Sequence, residues 1–131
     1  MIIVLDASAA IELVLQREKA PELGRMMADA DWVIAPALMI PEVANVFWKY
    51  FQFNDMPVDQ CEQAIDRVLA LPDEYVYEIE ICKEAFTMSC ITGKPVYDMF
   101  YLVLARRHSG YLLTMDNQLK EIAVKHSVRV L

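Results

Sequence analysis

The sequence predicts an α/β protein: one domain on a mostly parallel, five-stranded sheet with helices on both faces. Three observations carry this expectation. Short apolar runs rich in β-branched and aromatic residues recur at Ile2–Leu5, Trp32–Ala35, Tyr75–Ile79, Tyr111–Leu113 and Val128–Val130. Helical patterns separate each run from the next, as in βαβ units. Ile2–Leu5 is apolar without interruption rather than alternating, as suits a strand buried on both faces of a parallel sheet. Right-handed crossovers between such strands then set helices on both faces.

The elements follow in order. After Ile2–Leu5 comes Asp6-Ala7-Ser8, where Ser8 is the expected N-cap of a helix from Ala9 to about Gln16. A second helix covers Pro21–Ala28, with proline in its first turn. Trp32–Ala35 is the second strand, closed by Pro36. A long helix spans Leu38–Phe53, its apolar stripe marked by Val43, Val46, Phe47 and Tyr50. Glu42, Asn45 and Lys49 form the polar line beside that stripe. A turn at Asn54-Asp55-Met56-Pro57 precedes a helix over Val58–Leu71, which Pro72 ends. Tyr75–Ile79 is the third strand, and a helix from Ile81 to Ile91 stops before Gly93. The next helix begins at Val96 and ends by Gly110; Tyr111–Leu113, a helix over Asn117–Lys125 and the strand Val128–Val130 complete the chain.

The helix starting at Val96 is the unusual one. From Met99 to Ala105 every position is apolar, so it is apolar all round and belongs in the centre of the molecule. Asp98 stands at its head. A carboxylate there is costly to desolvate unless its charge is offset, and the helix N-terminus offsets only part of it. No Lys or Arg lies within the run, which leaves a partner from elsewhere in the chain or a metal ion.

Composition limits the alternatives. Hydrophobic residues make up 56% of the 131, which points to a large core or an interface and excludes disorder. No apolar stretch approaches a membrane span, and Ile2–Leu5 is too short for a signal peptide, so a soluble cytoplasmic protein is expected. Cys61, Cys82 and Cys90 are odd in number and lack metal-binding spacing, and His108 and His126 form no ligand pattern. Any metal must therefore be held by oxygen, which suits Mg²⁺ or Mn²⁺. The net charge of −7 argues against a free-standing nucleic-acid binder unless local charge or a basic partner compensates.

Four acids fall where parallel sheets build sites, at the carboxyl ends of strands. Asp6 follows the first strand, Asp116 follows the fourth, Asp98 heads the buried helix, and Glu42 lies in the first turn of the long helix. Each has a plain structural reading: Asp116 as the cap of the last helix, Asp98 as an N-cap, Asp6 as a turn residue, Glu42 as an exposed helix acid. Their joint placement favours a site. Clustered carboxylates repel one another, and a divalent cation turns that cost into binding.

These residues resemble the four acidic motifs of PIN-domain nucleases: Val-Leu-Asp-Ala-Ser-Ala (4–9), Pro-Glu-Val-Ala-Asn-Val (41–46), Tyr-Asp (97–98) and Leu-Leu-Thr-Met-Asp (112–116). The length and the spread of motifs most resemble VapC-type toxins of toxin–antitoxin pairs. The resemblance implies a Rossmann-like sheet in the order 3-2-1-4-5, Mg²⁺- or Mn²⁺-dependent cleavage of RNA, and a VapB-like antitoxin partner. It implies that Asp6, Glu42, Asp98 and Asp116 form the acidic, metal-holding cluster, with Asp6 and Asp98 the direct ligands and Ser8 and Thr114 supporting them. Met115 stands where many relatives carry a basic residue.

Arg17, Lys49, Lys94, Arg106, Arg107, Lys120 and Lys125 are the candidates for a basic rim, with the plain reading that most are solvated surface charges. Lys49 is the first candidate for contact with RNA, as substrate, or with a partner. A phosphorylation receiver domain fits poorly, because Glu80 follows the third strand and no lysine follows the last one suitably. A non-enzymatic module on the same fold and a DNA-directed nuclease are the alternatives. Trp48, Tyr50, Phe51, Phe53 and Met56 are more apolar surface than one helix can bury, which predicts an interface for a partner or for a homodimer; the plain alternative is that they pack under the following helix.

Overall fold

In the computed structural model, which describes residues 1–77 and 79–131, the five strands are β1 (Ile2–Leu5), β2 (Trp32–Pro36), β3 (Glu74–Val76), β4 (Tyr111–Leu113) and β5 (Arg129–Val130). All pair in parallel in the order β3-β2-β1-β4-β5. The helices among the described residues are α1 (Ala7–Val14), α2 (Ala20–Ala28), α3 (Met39–Asn54), α4 (Val58–Leu69), α5 (Cys82–Thr92), α6 (Val96–Arg107) and α7 (Asn117–Lys125). Strand order runs one way from β1 to β3 and the other way from β4 to β5. Right-handed crossovers therefore put α1–α4 on one face and α5–α7 on the other. The contacts agree: α1 touches α2, α3 and α4, while α5 packs on α6. No helix among the described residues is long and apolar enough to cross a membrane.

The central helix is α6, which lies against β1, β2 and β4. Met99, Tyr101, Leu102, Val103, Leu104 and Ala105 are all buried. Burial of each such leucine stabilises by roughly 1.5–3 kcal/mol, which is why an all-apolar helix settles here. Gly110 lets the chain turn closely into β4: a Cβ there would stand 3.0 Å from the Ile2 carbonyl oxygen of β1.

Two expected elements differ. The first helix starts at Ala7 rather than Ala9, and Ser8 does not cap it. Its hydroxyl is drawn into bonds with the β4 side of the sheet instead, while the extended backbone of Asp6 makes the entry. The third strand ends at Val76, not Ile79. It pairs with Ile34, Ala35 and Pro36, and β2 then turns away towards α3, leaving later residues without a ladder partner. Ile79 begins a single 3₁₀ turn, Ile79–Ile81; Glu78 lies outside the described residues. Cys61 is buried and Cys82 and Cys90 are exposed, all three as free thiols.

Candidate active site

The reversal of strand order falls between β1 and β4, and the crevice outside their carboxyl ends is where an open α/β sheet takes a ligand. Leu5 pairs with Leu113, and the Asp6 N–H continues the ladder to the Leu113 carbonyl at 3.0 Å. Asp6 is thereby held at the crevice floor. Thr114, fully buried, donates its hydroxyl to Asp6 Oδ2 at 2.5 Å, and Ser8 donates to the same oxygen at 2.8 Å. Each hydroxyl also accepts from the backbone of the next loop: Ser8 Oγ from Met115 N–H at 3.0 Å, Thr114 Oγ1 from Asp116 N–H at 3.1 Å. One carboxylate, two hydroxyls and two amides thus fasten the start of α1 to the exit of β4.

The other acids enter from helix first turns, where free N–H groups favour negative charge. Glu42 stands in the first turn of α3, and its Oε1 accepts the Tyr101 hydroxyl of α6 at 2.5 Å. Asp98 is in the first turn of α6, whose N-cap is Pro95. Asp116 caps α7, its Oδ1 accepting from Gln118 N–H at 2.9 Å and Leu119 N–H at 3.2 Å. The capping reading of Asp116 is therefore realised, and its charge still reaches Asp6 and Asp98.

The electrostatics show the convergence. Burial raises the Asp6 carboxyl above the ordinary carboxylate range; the Thr114 and Ser8 hydroxyls oppose this and Asp116 adds to it. Burial likewise raises Glu42, against the Tyr101 bond, with further lift from Asp6 and Asp98. Asp98 is raised by burial and then by Asp6 and Asp116, with Lys94 as the opposing cation. Lys94 Nζ bonds Gln118 Oε1, and these two residues with Asp98 and Asp116 line a cleft of about 80 Å³. Burial is the main cause in all three, and neighbouring acids add to it.

Comparison with known proteins agrees with this geometry. The PIN domain matches residues 3–125 of the chain. The chain belongs to the PIN-domain family. It is 30% identical over 123 residues to Ribonuclease VapC3 of Pyrobaculum aerophilum, covering 92% of this chain and 94% of that protein, which makes it a PIN domain of the VapC type. The crystal structure of PAE2754 from Pyrobaculum aerophilum shares the fold, with a TM-score of 0.72 at 21% identity, over 93% of this chain and 87% of that one.

In this PIN domain Asp6, Ser8, Thr114 and Asp116 form one hydrogen-bonded group, which Glu42 and Asp98 join through their fields. Lys49 does not join them: it is exposed on α3, and among the described residues no hydrogen bond or ion pair links it to an acid. Arg106 and Arg107 also leave the expected rim, because both bond Glu84 at the far end of α6. Arg17 donates to the Tyr50 hydroxyl and lies over its ring, bracing the end of α1 against α3.

Tyr101 is the residue the sequence reading missed, counted there as one more apolar position. It is 1% exposed and still bonds Glu42. The signal was available: a buried tyrosine hydroxyl needs a partner, and Tyr101 lies three residues after Asp98, on the same helix face. Gln118, partner of Lys94, carried no such signal.

The donor set fits a hard divalent cation: carboxylate oxygens whose proton affinity is raised by burial and by neighbouring acids, with Lys94 as the opposing cation at Asp98. Among the described residues no three Asp, Glu, His or Cys side chains close into a complete metal-holding group. Mg²⁺ does not require one, since it keeps several waters and is held through one or two carboxylates and substrate phosphates.

Proposed function

We propose that this PIN domain is a Mg²⁺- or Mn²⁺-dependent endoribonuclease, the toxin of a VapBC-type pair, acting in the cytoplasm. The observation that carries the reading is that Asp6, Glu42 and Asp98 come together at one crevice with their carboxyls raised, chiefly by burial and further by neighbouring acids. Acids left uncompensated at a strand-order reversal cost stability, and the cost is recovered when a cation binds. Similarity to a protein named ribonuclease supports RNA as the substrate.

Asp6 and Asp98 would hold the cation, Asp6 with its orientation set by the Thr114 and Ser8 hydroxyls. When bound, the metal supplies positive charge for the phosphodiester and a more acidic water. Glu42 is the better proton acceptor of the remaining two acids. Tyr101 fixes one of its oxygens and its proton affinity is raised, whereas Asp116 commits Oδ1 to the backbone of α7. Lys94, beside Asp98, is placed to receive a phosphate oxygen.

The antitoxin surface is read from α3. Trp48, Phe51 and Phe53 are 52%, 47% and 70% exposed, while Tyr50 and Met56 pack on the core. An antitoxin tail, or a second copy in a homodimer, would cover those three rings, and a basic tail would relieve the acidic cluster. The nuclease reading is tested by incubating the protein with single-stranded RNA and DNA of one sequence, with Mg²⁺ or Mn²⁺ and with chelator. Metal-dependent RNA cleavage supports it. Cleavage that survives chelation, or that prefers DNA, overturns it.

A further inference from the structure

The segment Met115–Asn117 lines two depressions. On one side is the small cleft of Lys94 and Gln118. On the other is a larger cavity of about 220 Å³, lined by Lys19, Glu22 and Met26 from α2 and its N-cap, Met115 and Asn117 on either side of Asp116, and Lys120 on α7. Its wall is tied to the acidic cluster, since the Met115 N–H bonds the hydroxyl that holds Asp6.

The lining combines three kinds of group. Met26 and Met115 are partly buried against the core and present thioether surface of the adaptable sort that accepts a flat ring. Asn117 offers an amide donor and acceptor side by side, the pairing that a base edge matches. Two lysines stand at the rim of a chain whose net charge is −7. Lys19 pairs with Glu22 at 3.6 Å, both about half exposed, a contact worth little and readily exchanged. Among the described residues no carboxylate pairs with Lys120. Among the lining side chains two lysines face one carboxylate, that of Glu22. Leu131 also lines the cavity and, as the last residue here, sets a further carboxylate beside it. Lys120, with no acid paired to it among the described residues, is the cation open to an anionic occupant.

We propose that this cavity is a nucleotide subsite: it holds the nucleotide adjoining the bond cut at the acidic cluster, its base on Met115 and Met26, its phosphate at Lys120 and Lys19. This rests on the nuclease reading, which it deepens by naming a place where the flanking base is sensed. Asn117 and Met115 are then the residues that set base preference.

Methionine-methyl NMR tests it without cleavage. The full chain is titrated separately with the four nucleoside 5′-monophosphates, inorganic phosphate and an arginine-containing peptide. Nucleotides are expected to shift the Met115 and Met26 methyl signals saturably, at least one base more strongly than the others. Lys120→Glu weakens that binding about tenfold or more, through loss of a charge-assisted contact, and Lys120→Ala gives a milder loss in the same direction. No nucleotide-dependent shift overturns the subsite. Equal shifts from inorganic phosphate reduce it to an anion site and overturn the role of the base. Shifts from the peptide alone assign the cavity to a protein partner. A protein that shows the nucleotide shifts but cuts no RNA keeps the nucleotide site and overturns the nuclease reading instead.

Discussion

The two ends of α6 handle charge in opposite ways. At the C-terminal end Glu84 meets two guanidiniums, Arg106 at 2.5 Å and Arg107 at 2.8 Å. Burial alone would raise its carboxyl, but the two arginines outweigh that and hold it below the ordinary range. At the N-terminal end burial raises the Asp98 carboxyl, Asp6 and Asp116 raise it further, and Lys94 offsets only part of the rise. At one end α6 supplies the bases that satisfy an acid of α5, and at the other it carries a frustrated acid of its own. Glu84 shows that this chain pairs an acid with bases where only stability is at stake. The unpaired acids at the other end mark the place where a charge from outside is expected, and that contrast carries more weight than any one motif.

The largest expected effect tests that contrast at its frustrated end. Asp6→Asn and Asp98→Asn each lower RNA cleavage by on the order of 10²-fold or more, since each removes a candidate ligand while keeping shape. The same variants, in chelator, are at least as stable as the parent because a repelling charge is gone. Parental cleavage by both would end the assignment. Next in size is the metal itself. Mg²⁺ or Mn²⁺ at a hundred times its Kd should stabilise the parent by ~2.7 kcal/mol through mass action. Asp98→Asn should forfeit most of that gain, and Glu84→Gln should keep all of it, as read by thermal melts with and without chelator.

Tyr101→Phe comes third. It takes a buried donor from Glu42 and is expected to cost about 1–2 kcal/mol of stability. It should also move the acid limb of the cleavage profile to higher pH, since the Tyr101 bond is what opposes the rise of Glu42. An unchanged profile would remove Glu42 from the proton-handling role and leave Tyr101 a packing residue.

What the sequence disclosed follows from where information is local. The strand runs, α3 and α6 were readable because burial imposes apolar periodicity on the residues themselves. The acids were readable because Asp6 directly follows a strand, Asp116 comes three residues after one and Asp98 directly heads an apolar run. The β3 boundary was not, because it is set by where β2 turns away after Pro36, a fact about another segment. The reading of Ser8 as a helix cap failed for the same kind of reason. Its hydroxyl chose between a local amide and partners at Thr114 and Met115, more than a hundred residues on, and no local pattern ranks those. The basic rim was the weakest part: Arg106 and Arg107 are spoken for by Glu84, while Lys94 and Lys120 lie beside the two depressions.

The smallest effect sharpens the comparison most directly, because the two ends of α6 should respond to pH with opposite sign. Glu84 has its carboxyl lowered from an ordinary 4.5, so its stabilisation is present above that value and is lost as pH falls through the folded value. Asp6 and Asp98 are raised from 3.8 and Glu42 from 4.5, so their contribution is complete below those values and is lost as pH rises through the folded ones. The linkage relation fixes the direction: where the folded state binds more protons than the unfolded chain, stability declines with rising pH. Glu84→Gln should therefore cost ~0.5–1 kcal/mol at pH 7, the range for a partly exposed ion pair, and almost nothing near pH 2 or in high salt. Asp6→Asn in chelator should do the reverse, matching the parent in acid and gaining on it as pH rises towards neutrality. Denaturant melts of the parent and both variants across that range read the two slopes. Slopes of the same sign would mean that the acids at the crevice are already compensated within the chain, and with that the expectation of a charge supplied from outside would fall.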